Sequence, residues 1–510
     1  MIPFPVLAAI LLGVVGFRIH GAAALSGYQI NCGAGAERVA GNVTWVPDGR
    51  FIGVGNATDI PSPGGAMMPM LSSLRFFPDA SARKYCYVVP AVKAAKYLVR
   101  TTYYYGGFDG GAAPPVFDQI IEGTRWSQVD TAGDYASGRA TYFEAVVAAT
   151  GREVSVCLAR NANTASSPFI SALEVVPLDD SVYNSTDFAS FALSTIARHS
   201  FGHDGISDTG DQFNRYWQPY SDGSPVVESQ GSVVPAAFWN KPPEDVFKRG
   251  VTASRGNVLE LQWPPVPLPV ASYYMALYFQ DNRTPSPLSW RVFDVAVNGQ
   301  AFFAGLNVST AGSMVYGADW PLSGQTKITL TPAPGSPVGP VINAAELMMV
   351  VPLGGRTHPR DVIGMEALAR GFVNPPPDWS GDPCLPLGNS WTGVSCTQEP
   401  LARVIALNLT NWYVGGSISD HIANLTAISS IWLVANSLTG PIPDMSSLHH
   451  LASLHLENNQ LTGPMPQSLG DLPKLQELFV QNNNLHGIIP NNLRNRTGIA
   501  FQYTPGNNLS

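Results

Sequence analysis

The feature that most constrains this chain is a set of landmarks that occurs twice in the same order. Val116-Phe117-Asp118-Gln119-Ile120-Ile121-Glu122-Gly123 returns as Val292-Phe293-Asp294-Val295-Ala296-Val297-Asn298-Gly299. Pro168-Phe169-Ile170-Ser171-Ala172-Leu173-Glu174 returns as Pro340-Val341-Ile342-Asn343-Ala344-Ala345-Glu346, and both runs close on Val-Val-Pro-Leu, at 175–178 and 350–353. Ile30-Asn31-Cys32-Gly33 has a fainter counterpart in His199-Ser200-Phe201-Gly202. The spacing of about 170 residues exceeds any solenoid period. A whole domain is therefore used twice, over 28–178 and 199–353. Between them, 179–198 reads as a connector with a short apolar patch (Phe188, Phe191, Ile196) of helical character.

Each copy reads as β structure. Lys96 to Tyr105 is β-branched and aromatic and ends at Gly106-Gly107. Val116 to Ile121, Glu153 to Leu158, Leu259 to Trp263, Tyr273 to Phe279, Trp290 to Val297 and Lys327 to Leu330 have the same character. Turn formers are plentiful (Gly 49, Pro 43) and charged residues make up only 13%, against the usual quarter or so. Alternation and turn spacing predict antiparallel sandwiches, each closing its own core.

The pattern changes after 353. A linker and cap occupy 354–403, with an amphipathic helix expected at Asp361 to Phe372 and a stop at Pro375-Pro376-Pro377. Over 404–497, Leu407-x-Leu409, Ile431-x-Leu433, Leu454-x-Leu456 and Leu478-x-Val480 recur at 23–24 residues. Trp412, Asn436, Asn459 and Asn483 each follow three residues behind. This is the leucine-rich repeat pattern, in which leucines share one core and the Asn satisfies the turn backbone. About four coils are expected, followed by a tail at 498–510. The fold class is thus mainly β, two tandem sandwiches and a short α/β solenoid.

Several features point outside the cell. Residues 1–24 read as a signal peptide, an apolar run from Phe4 to Phe17 followed by Ala22-Ala23-Ala24. No later apolar run reaches membrane length, so no span is expected after signal cleavage. Sequons stand at Asn42, Asn56, Asn184, Asn282, Asn307, Asn408, Asn424, Asn495 and Asn508, which suggests a glycosylated surface. An oxidising compartment would pair some of the five cysteines, leaving one odd thiol. The net charge of −8 and the lack of a Lys/Arg cluster argue against nucleic acid.

Catalytic chemistry finds little support. No Gly-x-Ser-x-Gly elbow, His-Glu-x-x-His run or kinase-type Gly-rich loop occurs. No enzyme, cofactor or metal site is expected. His199, His203 and Asp204 read as a plain surface loop, and His449, His450, His455 and His486 as scattered over the coils with no facing carboxylates implied.

Ile30-Asn31-Cys32-Gly33, Arg75-Phe76-Phe77-Pro78, Tyr85-Cys86-Tyr87, Val116-Phe117-Asp118, Val156-Cys157-Leu158 and Pro168 to Glu174, taken in order, resemble the plant malectin-like domain. With Gly381-Asp382-Pro383-Cys384 and the repeats, residues 28 to about 495 resemble the ectodomain of plant malectin-like/leucine-rich-repeat receptor kinases and their kinase-less relatives. The resemblance implies an extracellular receptor or receptor-associated protein, here without kinase. It also implies that Cys384 and Cys396 clasp a cap over the apolar end of the array; of Cys32, Cys86 and Cys157, two are left to pair. Animal malectin binds a glucose disaccharide through loop-tip aromatics and an aspartate. Its Tyr-Phe pair falls on Gly107-Phe108 and on Arg283-Thr284, and its aspartate near Ser166 and Val338. Only Phe108 is retained, which weighs against a sugar.

The candidate ligand residues are Tyr103, Tyr104, Tyr105, Phe108 and Asp109, with Tyr278 and Phe279 at the matching strand of the second copy. They form either a stacking platform or core filling; strand alternation would put Tyr103 and Tyr105 on one face and Tyr104 on the other. The leading expectation is a secreted, non-catalytic receptor-like recognition protein that binds an extracellular partner (a peptide, a membrane receptor kinase or a wall component) through its malectin-like and leucine-rich-repeat surfaces, with a glycan or a peptide as the candidate ligand. A cell-wall carbohydrate-binding protein and a structural wall scaffold are the alternatives.

Overall fold

The computed structural model describes residues 27–40, 43–60, 68–207, 210–284 and 290–510. The expected leader at 1–24 and the sequon at Asn42 lie outside them.

The duplicated landmarks become duplicated topology. In the first copy the strands Tyr28–Asn31, Ala172–Pro177, Lys96–Tyr103 and Thr141–Ala148 lie side by side; in the second, Phe191–Phe201, Ala344–Pro352, Leu268–Phe279 and Ser313–Gly324 repeat that order. Each row faces a four-stranded sheet, built around Val116–Ile121 in one copy and Val292–Val297 in the other. These landmark strands turn back through Glu122-Gly123 and Asn298-Gly299. All four residues have positive φ (46°, 73°, 50° and 78°), as a two-residue hairpin matched to strand twist requires. Two separate apolar cores fill the sandwiches, one around Tyr87, Phe117 and Phe169, the other around Trp263, Phe293 and Leu347.

The copies nevertheless share one sheet. Thr141–Ala148 pairs antiparallel with Phe191–Phe201 through Ala145↔Ser194 and Val146↔Leu193, giving a continuous sheet of eleven strands. The end of the expected connector is thus the first strand of the second copy, not a helix. Its alternation (Ala192 toward a sandwich core, Leu193 toward the opposite face) is reset by a bulge between Thr195 and Ala197 that returns Ala197 to a core, and this broken period 2 is what the isolated apolar residues obscured. His199 belongs to this strand rather than to a loop; its Nδ1 accepts the Trp263 indole N–H at 3.1 Å, and burial lowers its pKa to about 4.

A third apolar layer covers the back of the shared sheet. Phe213, Trp217, Phe238 and Phe247 lie over Leu98, Val146, Tyr274 and Tyr278. Under this cover both landmark glutamates are buried and neutralised. Glu174 accepts from Arg100 at 2.9 Å and Glu346 from Arg198 Nε at 3.0 Å, while Glu144 bridges Arg100 and Arg198. Burial would raise the Glu144 carboxyl, but the two guanidiniums overcome it and hold it well below the usual carboxylate range.

The leucine-rich array packs against the first copy. The five strands Val404–Asn408, Ser430–Trp432, Ser453–His455, Glu477–Phe479 and Ala500–Gln502 form one parallel ladder. The expected tail therefore supplies a fifth coil: Asn507 Oδ1 accepts from Leu485 N at 2.9 Å and its Nδ2 donates to Val480 O at 2.8 Å, repeating the bonds of Asn436, Asn459 and Asn483. Phe501 and Tyr503 pack on the end of this core. At the other end the helix Pro359–Gly371 contributes Met365 and Leu368, and Trp379 and Trp391 stack beside the Cys384–Cys396 bond.

Gly381-Asp382-Pro383-Cys384 is the joint between the two modules. Gly381 has φ +67°, and a Cβ there would stand 2.8 Å from Cys86 Sγ, so only glycine lets the cap meet the Cys86–Cys157 bond of the first sandwich. Buried Lys84 donates to Asp382 O and Leu385 O, both at 2.6 Å, and desolvation lowers its pKa to about 8. Cys32 remains a buried free thiol.

Candidate functional site

The aromatic residues singled out in the sandwiches are mostly interior. Tyr103 (1% exposed), Tyr104 (8%) and Tyr105 (2%) all belong to the first core, and Tyr278 and Phe279 are fully buried. The expected separation of Tyr104 from its neighbours fails because the strand ends at Tyr103. Beyond it the chain turns through Gly106 and Gly107 at positive φ, and alternation no longer applies. Tyr103 donates to Gln119 Oε1 at 2.7 Å, and Tyr278 donates to Glu346 Oε1 at 2.6 Å from the opposite side of its sheet. Neither copy offers these rings to a ligand.

What reaches the surface is a small loop-tip group. Phe108 is half-buried against Phe76, Tyr105 and Phe169. Exposed Asp109 accepts hydrogen bonds from the Tyr105 hydroxyl and from half-buried Ser166, the position expected to align with a sugar-binding aspartate.

A better-formed surface lies on the ladder of the leucine-rich array. In a coil, residues flanked by the two core leucines point outward from the parallel sheet, and the register places Asn408, Trp432, His455, Phe479 and Gln502 in one column. Successive strands lie about 4.8 Å apart, so adjacent rings must touch: Trp432–His455 centroids are 5.5 Å apart and His455–Phe479 4.5 Å. Trp432 keeps 40% of its surface exposed.

Carboxylates flank this column. His455 Nε2 lies 3.2 Å from Glu477 Oε2 and its Nδ1 3.7 Å from Glu457 Oε1. His455 therefore does face a carboxylate pair, contrary to the expectation for the coil histidines. Glu477 also accepts from Ser453 at 2.7 Å, and these hydrogen bonds lower its pKa. Glu457 is 9% exposed and its Oε2 has no hydrogen-bond partner among the described residues. Reading the residue between paired leucines at the coil period would have found this column in the sequence.

The remaining site residues are placed plainly. Cys384 is bonded to Cys396, and Cys86 to Cys157. Asn56, Asn184, Asn307, Asn408, Asn495 and Asn508 are exposed, while Asn282 and Asn424 are half-buried. Asn408 opens the aromatic column. Among the described residues, no helix is long and apolar enough to cross a membrane.

The malectin-like domain model matches residues 30–350, and the leucine-rich repeat model matches 450–472 and 474–495. A probable LRR receptor-like serine/threonine-protein kinase of Arabidopsis thaliana is 30% identical over 476 residues, covering 87% of this chain and 49% of that protein. A receptor-like protein kinase of the same plant is 27% identical over 369 residues, covering 70% of this chain and 40% of the kinase. This chain thus spans about half or less of the curated relatives it matches. Among solved structures, the ANX2 ectodomain from Arabidopsis thaliana superposes with a TM-score of 0.52 at 16% identity, over 64% of this chain and 97% of that one. A chain from the structure of plant peptide RALF23 in complex with FER and LLG2 does so with the same TM-score and identity, over 64% and 95%. These structures share the fold of the two sandwiches. With that fold and the match over 30–350, the chain belongs to the malectin-like domain family, and it carries the leucine-rich array of its receptor-kinase relatives behind the malectin-like pair.

Proposed function

We propose that this chain is the extracellular recognition part of a plant receptor-like protein, non-catalytic in itself, and that it binds a peptide or protein partner through the sheet face of its leucine-rich array. The observation that carries this reading is the column Trp432–His455–Phe479, an aromatic surface next to carboxylates on an otherwise regular ladder. Large aromatics at the centre of an interface supply most of the binding energy in such surfaces. The RALF23 complex with FER and LLG2 supports a peptide or protein partner for this fold. Two disulfides and exposed sequons support an extracellular setting. The burial of Tyr103, Tyr104, Tyr105, Tyr278 and Phe279 argues against a glycan as the main ligand, because a sugar ring needs a flat aromatic face.

Binding of the purified chain to a panel of plant secreted peptides, RALF23 among them, tests the proposal by biolayer interferometry. A binder whose affinity drops about thirtyfold in Trp432→Ala, equivalent to about 2 kcal/mol, is expected. A panel without binders, combined with glycan-array binding lost in Phe108→Ala, would establish the carbohydrate reading instead.

A further inference from the structure

A second concavity lies on the edge of the array, away from the aromatic column. A cavity of about 410 Å³ opens where the helix Pro359–Gly371 meets the first coils. Arg360 enters it from the first turn of the helix, Arg403 from the approach to the first coil strand, and His449 and His450 from a later coil, with Thr426 and Ser447 between them. The coil register explains why cationic side chains gather here. Leu407, Ile431, Leu454 and Leu478 are aligned, and four residues ahead of each stand Arg403, Ala427, His450 and Lys474. Three of these four equivalent positions carry a basic side chain. Lys474 Nζ extends the row, 3.2 Å from His450 Nδ1.

The charges are unevenly compensated. Buried Asp361 accepts from Arg403 Nε at 2.9 Å and Nη2 at 3.0 Å, and also from Val404 N, so the charge of Arg403 is compensated, and its Nη2 donates in addition to Thr426 Oγ1 at 2.8 Å. Arg360 and Lys474 are exposed, and among the described residues neither forms an ion pair with a carboxylate. Among the described residues no acidic side chain lines the cavity. On a chain with net charge −8 this edge is a local excess of donors and positive charge. It has no aromatic ring besides the imidazoles, so it lacks the flat apolar platform a sugar ring needs.

We propose that this basic edge is a second binding site, which takes an acidic, extended peptide segment of a partner protein, with one carboxylate seated between Arg360 and the His449–His450 pair and the segment running along the row toward Lys474. The site is separate from the sheet face and stands whether or not that face binds a partner.

Fluorescence polarisation with a labelled hexaglutamate peptide and the full chain tests it. Saturable binding that weakens as salt rises is expected. Arg360→Glu and Lys474→Glu should each weaken it about tenfold, as replacing a partly exposed attraction by a repulsion does. Both side chains are exposed, so the melting temperature should not move. Lys93→Glu, an exposed charge reversal on the first sandwich, should bind hexaglutamate as the parent does. Absence of saturable binding, or binding that both charge reversals leave within about twofold, overturns the proposal. So does an oligogalacturonide that binds this edge while hexaglutamate does not, since the ligand would then be an acidic sugar.

Discussion

Glu144→Gln is the sharpest perturbation of the joint between the two malectin-like copies. Glu144 accepts from Arg100 at 3.1 and 2.7 Å, from Arg198, and from Thr195 at 3.2 Å, with its side chain only 1% exposed. The glutamine keeps the shape and one acceptor, but turns an N–H₂ toward a guanidinium and removes the charge between two arginines. Arg100 keeps Glu174 and Arg198 keeps Glu346, so the loss is large without stripping either cation of every partner. Breaking a buried pair in this way costs roughly 3–5 kcal/mol. The damage should be local: Ala145↔Ser194 and Val146↔Leu193 are the register pairs that tie the strands together there. Hydrogen exchange resolved to Thr141–Ala148 and Phe191–Phe201 reads that opening directly. In a cycle with Arg198→Met, the two substitutions should couple by about 2–3 kcal/mol. A variant whose two strands exchange as slowly as the parent's, or a coupling near zero, would refute the reasoning.

Three further outcomes follow from the same structure. His199 stays neutral in the folded chain down to about pH 4, whereas an unfolded histidine takes up a proton near 6.5; stability should therefore fall as pH drops from 6.5 to 4, by up to about 3 kcal/mol. His199→Gln, which can still accept from Trp263, should flatten that slope in denaturation curves recorded across this range. Cys384→Ser should cost roughly 2–5 kcal/mol and expose 404–497 to limited proteolysis before the sandwiches; an array as resistant as the parent's would show that the clasp does not hold the cap. Secreted expression should give a glycoprotein that shifts on deglycosylation and loses one step of that shift in Asn408→Gln, read on a denaturing gel.

Much of the architecture was legible because duplication and coil period are both long-range patterns that survive local ambiguity. The landmark strands and the Asn ladder of the first four coils lie where those patterns put them, and the Cys384–Cys396 clasp lies where the family resemblance implied it. Phe191–Phe201 was harder to read, since its apolar residues alternate between a sandwich core and the back layer, and a few apolar positions fit a helix equally well. The fifth coil escaped because Phe501 stands in for the leucine and Asn507 follows Tyr503 by four residues instead of three, without the Leu-Thr-Gly-Pro run that marks earlier turns. Tyr103, Tyr104 and Tyr105 look like a platform in sequence, and only the strand's end and the glycines beyond it send all three inside. The aromatic column was legible at the coil period but was read over: Trp432, His455 and Phe479 are 23 and 24 residues apart, each between paired core residues, and the ladder makes them neighbours.

The central claim is that the ladder face recognises a partner, and the double variant Trp432→Ala/Phe479→Ala tests it most directly. Crosslinked capture from plant cell-surface extract, with the captured protein identified and then titrated in pure form, should show binding by the parent and at least a hundredfold weaker binding by the double variant. Melting temperature should change little, because Trp432 is exposed and Phe479 lies outside the leucine core. A partner that binds parent and double variant with the same affinity would contradict the account and move the site off this face.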